Sequence, residues 1–418
     1  MIENKLNILL IPSDTSGGVF YYRIYNWSKR MMNTSSNRVN IIIPEALNLK
    51  DKDWLIENKI DIIYFHNGLF SGNEQLLFWE WIDFAKSKGI KLVMDIDDYV
   101  DWGKNHIMYE WNREMLISER LIVNLYKSDY ITTTTEYYKE KLEKITRKNN
   151  VFVFRNCIDK NSVEQWNINK TESKRLRFGL AGGVSHGKDN EQLVSILRKL
   201  PKQYLDKIQL VLVGYNTKKG TVLYWPELEN KLTINKSICS SEYREYLLKN
   251  YQDDSNETIN DDIYRRITVK KIYDIENRCE GDFGKVYNDI DVVLVPLQPS
   301  EFNNYKSELK FVEAGFTNTG IIFTNTGPYK KEIEKYPILK DLSIGIDYTK
   351  GINGWVKAIK LCVDNKEKLF EMRKKMSDFI IDEYDIDKEN EKRISFFEKI
   401  VNFDSKNINF NSFEHLDK

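Results

Sequence analysis

The sequence predicts an α/β protein of two Rossmann-like domains facing a central cleft, with C-terminal helices packing across them. Three observations carry this expectation. At 418 residues the chain is too long for one ordinary core and suits two domains of roughly 150–200 residues each. Short β-branched runs alternate with longer stretches of helical periodicity, the signature of βαβ units. The rhythm stops once, across 156–173, and then restarts.

In the first half, Leu6–Ile11, Val39–Ile43, Ile60–Phe65, Ile90–Asp95, Tyr130–Thr133 and Val151–Phe154 read as strands, with helical patterns over 18–32, 73–88 and 107–127. The strands are almost continuously apolar, so they belong to a parallel sheet covered on both faces. Residues 1–156 form the first domain. A polar stretch then leads to a second, 174–350, whose strands are Arg177–Ala181, Ile208–Val213, Ile267–Ile272, Asp291–Val295, Gly320–Thr324 and Leu342–Ile346. Its spacing is broken by a polar insertion at about 215–266. Residues 351–403 carry only helical periodicity and are expected to bridge the two lobes, and 404–418 form a frayed tail.

Composition excludes several classes. Lys plus Arg equals Asp plus Glu, 63 each, so no whole-molecule positive field draws the chain onto nucleic acid or anionic membrane. The four cysteines are far apart without CxxC spacing, which argues against a zinc site or disulfide framework and for a reducing cytoplasm. No signal-peptide pattern opens the chain, and no apolar run approaches the roughly 20 residues that span a bilayer. A cytoplasmic protein without integral membrane contact is expected.

Ligands of open parallel sheets bind beyond the carboxyl ends of strands. After the first strand, Gly17 and Gly18 open a helix, permitting close backbone approach and offering a helix N-terminus to an anion, or simply making a tight turn. The dinucleotide GxGxxG spacing is absent. The fourth strand ends in Asp95-Ile96-Asp97-Asp98, where crowding of like charges is expected to raise at least one pKa toward that of a general base. A solvated acidic turn or a metal site are the alternatives. The second sheet opens into Gly182-Gly183-Val184-Ser185-His186, which suits a diphosphate or its attached sugar. Lys306, Lys310 and Glu313 fall at i, i+4 and i+7 of one expected helix, where two ammonium groups suit a pyrophosphate and the carboxylate suits two ribose hydroxyls. Its other reading is an exposed face with ordinary Lys-to-Glu pairing.

With these residues in place, the chain resembles GT-B glycosyltransferases, especially the group similar to the large retaining family 4, and is most similar to a branch found in bacteria and their phages. The segments are 17–23, 95–98, 156–159, 182–186 and 306–315 with Gly327-Pro328-Tyr329, spread in the family's order over nearly the whole chain. The resemblance implies a nucleotide-diphosphate sugar, with UDP-hexose expected, bound by the C-terminal domain with its base near Gly214 and the helix around Lys310. It implies Glu313 on the ribose, Lys306 or Lys310 on the phosphates, and no obligatory metal. Gly17, Gly18, Gly182, Gly183, Ser185 and Ser307 complete the expected donor site; Tyr22, Arg23 and Asp95 are expected at the acceptor; Asp97, Asp98 and His186 are the expected catalytic residues.

One departure matters. The family commonly has a second glutamate eight positions before the ribose glutamate, and Tyr305 stands there. Glu301 replaces it only if the loop bends differently. The expected reaction is sugar transfer to a hydroxyl of a glycan or another acceptor, with retained configuration and no cofactor beyond the nucleotide sugar. A hydroxymethylated base of phage DNA is a less favoured acceptor, because the chain lacks net charge and an Arg-rich stripe. A UDP-sugar epimerase on the same architecture and a catalytically dead binding module are the competing classes.

Overall fold

The computed structural model describes residues 5–14, 17–104, 106, 109–161, 170, 173–181, 189, 192–213, 267–270, 284, 287–288 and 290–402. The first sheet holds β1 (Leu6–Ile11), β2 (Val39–Ile42), β3 (Ile62–His66), β4 (Lys91–Asp95), β5 (Tyr130–Thr133) and β6 (Val151–Val153), all parallel, in the order β2-β1-β3-β4-β5-β6. The second holds β7 (Leu176–Ala181), β8 (Ile208–Val213), β9 (Ile267–Lys270), β10 (Val292–Val295), β11 (Gly320–Thr324) and β12 (Ile344–Ile346), also parallel, in the order β12-β11-β10-β7-β8-β9. All twelve strands expected from the sequence are present, within two residues at each end. Central strands such as β3, β10 and β11 are buried at every position, which is why their sequences lack alternation.

Strand order locates the crevices. In the first sheet the order reverses between β1 and β3, and in the second between β7 and β10. Helices leave opposite faces at such a point, opening a gap at the carboxyl edge of the sheet.

Two helical expectations change. The stretch expected over 18–32 is helix Gly17–Phe20, a π turn Tyr21–Tyr25, and helix Asn26–Thr34. The stretch expected over 107–127 is broken at Leu116, whose φ of 51° is left-handed, into Tyr109–Met115 and Ile117–Lys127. Asn112 stabilises the break: its side-chain oxygen accepts from the Ser118 amide at 3.0 Å, occupying a donor that a new helix start leaves free.

The last three helices connect the two lobes. Gly351–Asp364 packs Trp355, Ile359 and Cys362 against the second sheet. Lys366–Glu383 lies so close to helix Leu309–Phe316 that a Cβ on Gly315 would fall 2.4 Å from Ile380 Cβ, so no larger residue fits there without backbone movement. Ile386–Asn402 returns to the first lobe, where Phe396 and Phe397 meet Phe152, Phe154, Tyr64 and Trp27. Arg30 pairs with Asp387 and Arg38 with Glu398 along the same contact. Among the described residues no helix is long and apolar enough to cross a membrane, and Cys157 and Cys362 are buried free thiols.

Candidate active site

At the carboxyl edge of the first sheet, Asp95, Asp97 and Asp98 each face a different basic residue. Asp95, last in β4, is completely buried; Arg23 donates to it through Nε at 2.9 Å and Nη2 at 2.6 Å, and Thr132 donates from β5 at 2.6 Å. Arg23 Nη1 continues to the Phe154 carbonyl and the Asn156 side chain. Asp97 meets His66, Oδ1 to Nε2 at 2.9 Å, and Asp98 meets Lys306 of the second lobe at 3.2 Å.

The expected mutual repulsion of the carboxylates is therefore corrected. Burial raises the pKa of Asp95 and of Asp97, but Arg23 and His66 respectively outweigh it, so both lie below the ordinary carboxylate value. Burial opposes protonation of His66, and the charge and hydrogen bond of Asp97 overcome this and raise its pKa. Among the described residues no group of three or more His, Cys, Asp or Glu is arranged to hold a metal ion.

Tyr22, Arg23 and Asp95, expected at the acceptor, are instead enclosed. Tyr22 and Arg23 sit in the π turn, whose hydrogen bonds span one residue more than those of an α-helix and which here directs both side chains inward. Arg23 is 1% exposed and held by Asp95, and Tyr22, 3% exposed, crosses to the second lobe and donates to Glu313 Oε1 at 3.0 Å.

The segment 301–316 also departs from expectation. A single turn, Glu301–Asn304, is capped by Ser300; the chain then bends through Tyr305, and the next helix begins only at Leu309. Lys306 thus precedes the helix and does not share a face with Lys310 and Glu313. The bend seats Tyr305 in the first lobe, with ring centroids 4.8 Å from Tyr99, 5.1 Å from Tyr137 and 5.5 Å from Tyr138. Glu301 is held away by Lys141 and Tyr99. Ser307 accepts from Asn156 at 3.0 Å, and Glu308 lies 3.6 Å from Arg155.

Glu313 does not face an open cleft. It is 2% exposed, and Tyr22, Tyr287 and Lys310 all donate to its two oxygens. Helix Leu309–Phe316 is covered by the second sheet, by helix Lys366–Glu383 and by the first lobe, so the expected outward face is itself an interface.

Gly17 and Gly18 open the helix after β1. Gly182, Gly183, Ser185, His186, Gly214 and the 215–266 insertion lie outside the described residues. Sequence reasoning missed His66, Tyr287 and the part taken by Ser13. For His66 a signal existed: it is an imidazole at the carboxyl end of the otherwise apolar and aromatic strand Ile62–His66. Ser13 accompanies it, with Oγ 2.8 Å from His66 Nδ1.

No protein-family model and no curated protein matches this sequence. Solved structures do match in shape. HepE from Anabaena, in complex with UDP and glucose, aligns with a TM-score of 0.58 at 12% identity, covering 94% of this chain and 100% of that one. Sucrose-phosphate synthase from Thermosynechococcus elongatus aligns at 0.60 and 12%, covering 95% and 99%. A variant of TarM from S. aureus, solved with fondaparinux, α-GlcNAc-glycerol and UDP, aligns at 0.52 and 14%, covering 84% of this chain and 58% of that one. The two parallel sheets, the helices that return across them and these likenesses over most of the chain establish one architecture: the chain has the GT-B fold.

Proposed function

We propose that this chain is a glycosyltransferase that moves a sugar from a nucleotide-diphosphate sugar, with UDP-hexose as donor, to a hydroxyl of a glycan or another acceptor. The observation that carries the reading is the meeting of Lys306, Ser307 and Glu313 of the second lobe with the carboxyl edge of the first sheet, where a donor on one lobe would face an acceptor on the other. HepE, solved with UDP-glucose, and sucrose-phosphate synthase lend support through the fold they share with it. In this reading residues 174–350 bind the nucleotide, 1–156 receive the acceptor, and 351–403 tie the lobes together.

The site's charges neutralise one another. Lys306 rests on Asp98 and Lys310 on Glu313. An incoming diphosphate exchanges these carboxylates for phosphate oxygens, and ribose hydroxyls take the place of Tyr22 and Lys310 on Glu313. The two ammonium groups then offset the charge of the departing diphosphate without a cation. Activity is expected to persist in EDTA; complete loss restored by manganese or magnesium would overturn the metal-free donor site. Lys310→Ala should weaken UDP about tenfold or more and not weaken uridine, since the charge-assisted hydrogen bond it gives a phosphate contributes about 1.5–3 kcal/mol, whereas its bond to Glu313 only competes with the ribose. Calorimetric titrations with UDP and uridine check this; equal losses for both ligands would move Lys310 off the phosphates. Retention of configuration, which the resemblance implies, is read from the anomeric coupling of the product. UDP-sugar isomerised without transfer would replace a transferase with an epimerase.

A further inference from the structure

The switch point of the first sheet holds a hydrogen-bonded chain that the donor site does not use. Ser13 follows β1, His66 ends β3 and Asp97 follows β4; β1 and β3 are the two strands between which the sheet order reverses. Ser13 Oγ lies 2.8 Å from His66 Nδ1, and His66 Nε2 lies 2.9 Å from Asp97 Oδ1. Ser13 is exposed, His66 is 1% exposed and the Asp97 side chain 18%. A histidine so enclosed, with one ring nitrogen on Ser13 and the other on Asp97, reaches a ligand through a partner, and Ser13 is the more exposed of the two.

An ionised Asp97 can only accept, so neutral His66 carries its proton on Nε2 and leaves the Nδ1 lone pair toward the Ser13 hydroxyl. This is the tautomer a proton acceptor needs. A purely structural trio would have no reason to end in an exposed hydroxyl at the edge where sheet ligands bind.

We propose that Ser13, His66 and Asp97 form a proton relay that activates the acceptor hydroxyl, with Ser13 as the catalytic residue that touches the acceptor and His66 and Asp97 as positioning residues behind it. This rests on the transferase reading. As the acceptor oxygen bonds to the sugar's anomeric carbon on the face the diphosphate leaves, which retains configuration, its proton passes to Ser13 Oγ while the Ser13 proton passes to His66 Nδ1. The bond from that carbon to the diphosphate breaks, and its electron pair leaves with the diphosphate. Asp97 stabilises the imidazolium until the proton returns to solvent through Ser13.

The groups facing His66 are Ser13 from the β1 loop, Asp95 and Asp97 from β4 and its loop, and Arg23 from the π turn. The two carboxylates outweigh burial and Arg23, so the imidazole loses its proton above the usual histidine range. The relay needs it neutral, so transfer should rise with pH through that ionisation.

The test uses the full chain with UDP-glucose, UDP-galactose and UDP-N-acetylglucosamine, and two acceptor probes: methyl β-glucoside, whose hydroxyls are weakly acidic, and p-nitrophenol, which ionises near neutrality. Ser13→Ala and His66→Asn should each slow transfer to the glucoside about 100-fold, within the usual range for general-base catalysis, and leave transfer to p-nitrophenolate within about threefold. The rising limb of the pH profile should vanish in His66→Asn, and UDP affinity should be unchanged in both variants. Equal losses with both acceptors, or an unchanged pH profile, would mean that the trio only supports the fold. Wild-type transfer undiminished in Ser13→Ala would overturn the relay and leave the transferase reading standing. Wild-type protein that neither binds UDP nor releases it from any of these donors would overturn both.

Discussion

Asp95→Ala should destabilise the chain by about 3–5 kcal/mol, the cost of leaving a buried charge without its partner. Arg23 is 1% exposed and Asp95 0%, so neither water nor a mobile side chain can substitute. The remaining acceptors of Arg23, the Phe154 carbonyl and the Asn156 side chain, are neutral and do not offset its charge. Thermal melts should show a midpoint lower by roughly 10 °C. Arg23→Met with Asp95→Leu should be more stable than either single variant, because the pair leaves together. The pair also sets part of the acid limb. The folded pKa of Asp95 is depressed, so its contribution is whole above the unfolded value, about 3.9, and is lost as pH falls through the folded value. Asp95→Ala should flatten that limb. A variant melting within two degrees of wild type, with an unchanged acid limb, would sink this account.

Glu313→Ala should lower stability and donor affinity together. The sequence alone suggested a carboxylate placed for ribose hydroxyls or on an exposed face; the structure encloses it among Tyr22, Tyr287 and Lys310. Two buried tyrosine hydroxyls lose their acceptor, a destabilisation of about 2–4 kcal/mol at one to two for each. UDP affinity should fall at least tenfold if the carboxylate accepts from the ribose, since each charge-assisted bond contributes about 1.5–3 kcal/mol. Glu313→Gln keeps one accepting oxygen and should lose less of both. Tyr22→Phe separates the two effects: it removes the internal competitor for Oε1, so stability falls while UDP binding does not weaken. Melts and paired uridine and UDP titrations on these variants check this. Uridine binding to Glu313→Ala as tightly as to wild type would place the ribose elsewhere.

Much of this architecture was legible in the chain because its cause is local. A parallel strand buried on both faces must be apolar throughout, and β3, β10 and β11 show it. The Asp95–Asp98 cluster was also found, since a strand end is where chemistry collects. Its electrostatics were not, because Arg23 is 72 residues from Asp95 and Lys306 is 208 from Asp98. Like charges adjacent in sequence suggested repulsion; cations arriving from elsewhere reversed the sign. The helix around Lys310 was read with Lys306 on the same face, because periodicity cannot reveal that Tyr305 leaves the helical path to enter a pocket of tyrosines on the other lobe.

By itself the sequence determined two parallel sheets, their strands, the carboxyl edges at which ligands gather and the residue types found there, since hydrophobic period and turn chemistry act over a few neighbours. Only the tertiary structure decided which charge faces which. It enclosed Arg23 with Asp95, set Tyr22 on Glu313, and brought Ser13, His66 and Asp97 into one chain at the switch point. These contacts depend on strand order and lobe packing, and a hydrogen bond reaches only about 3 Å whatever the separation in sequence.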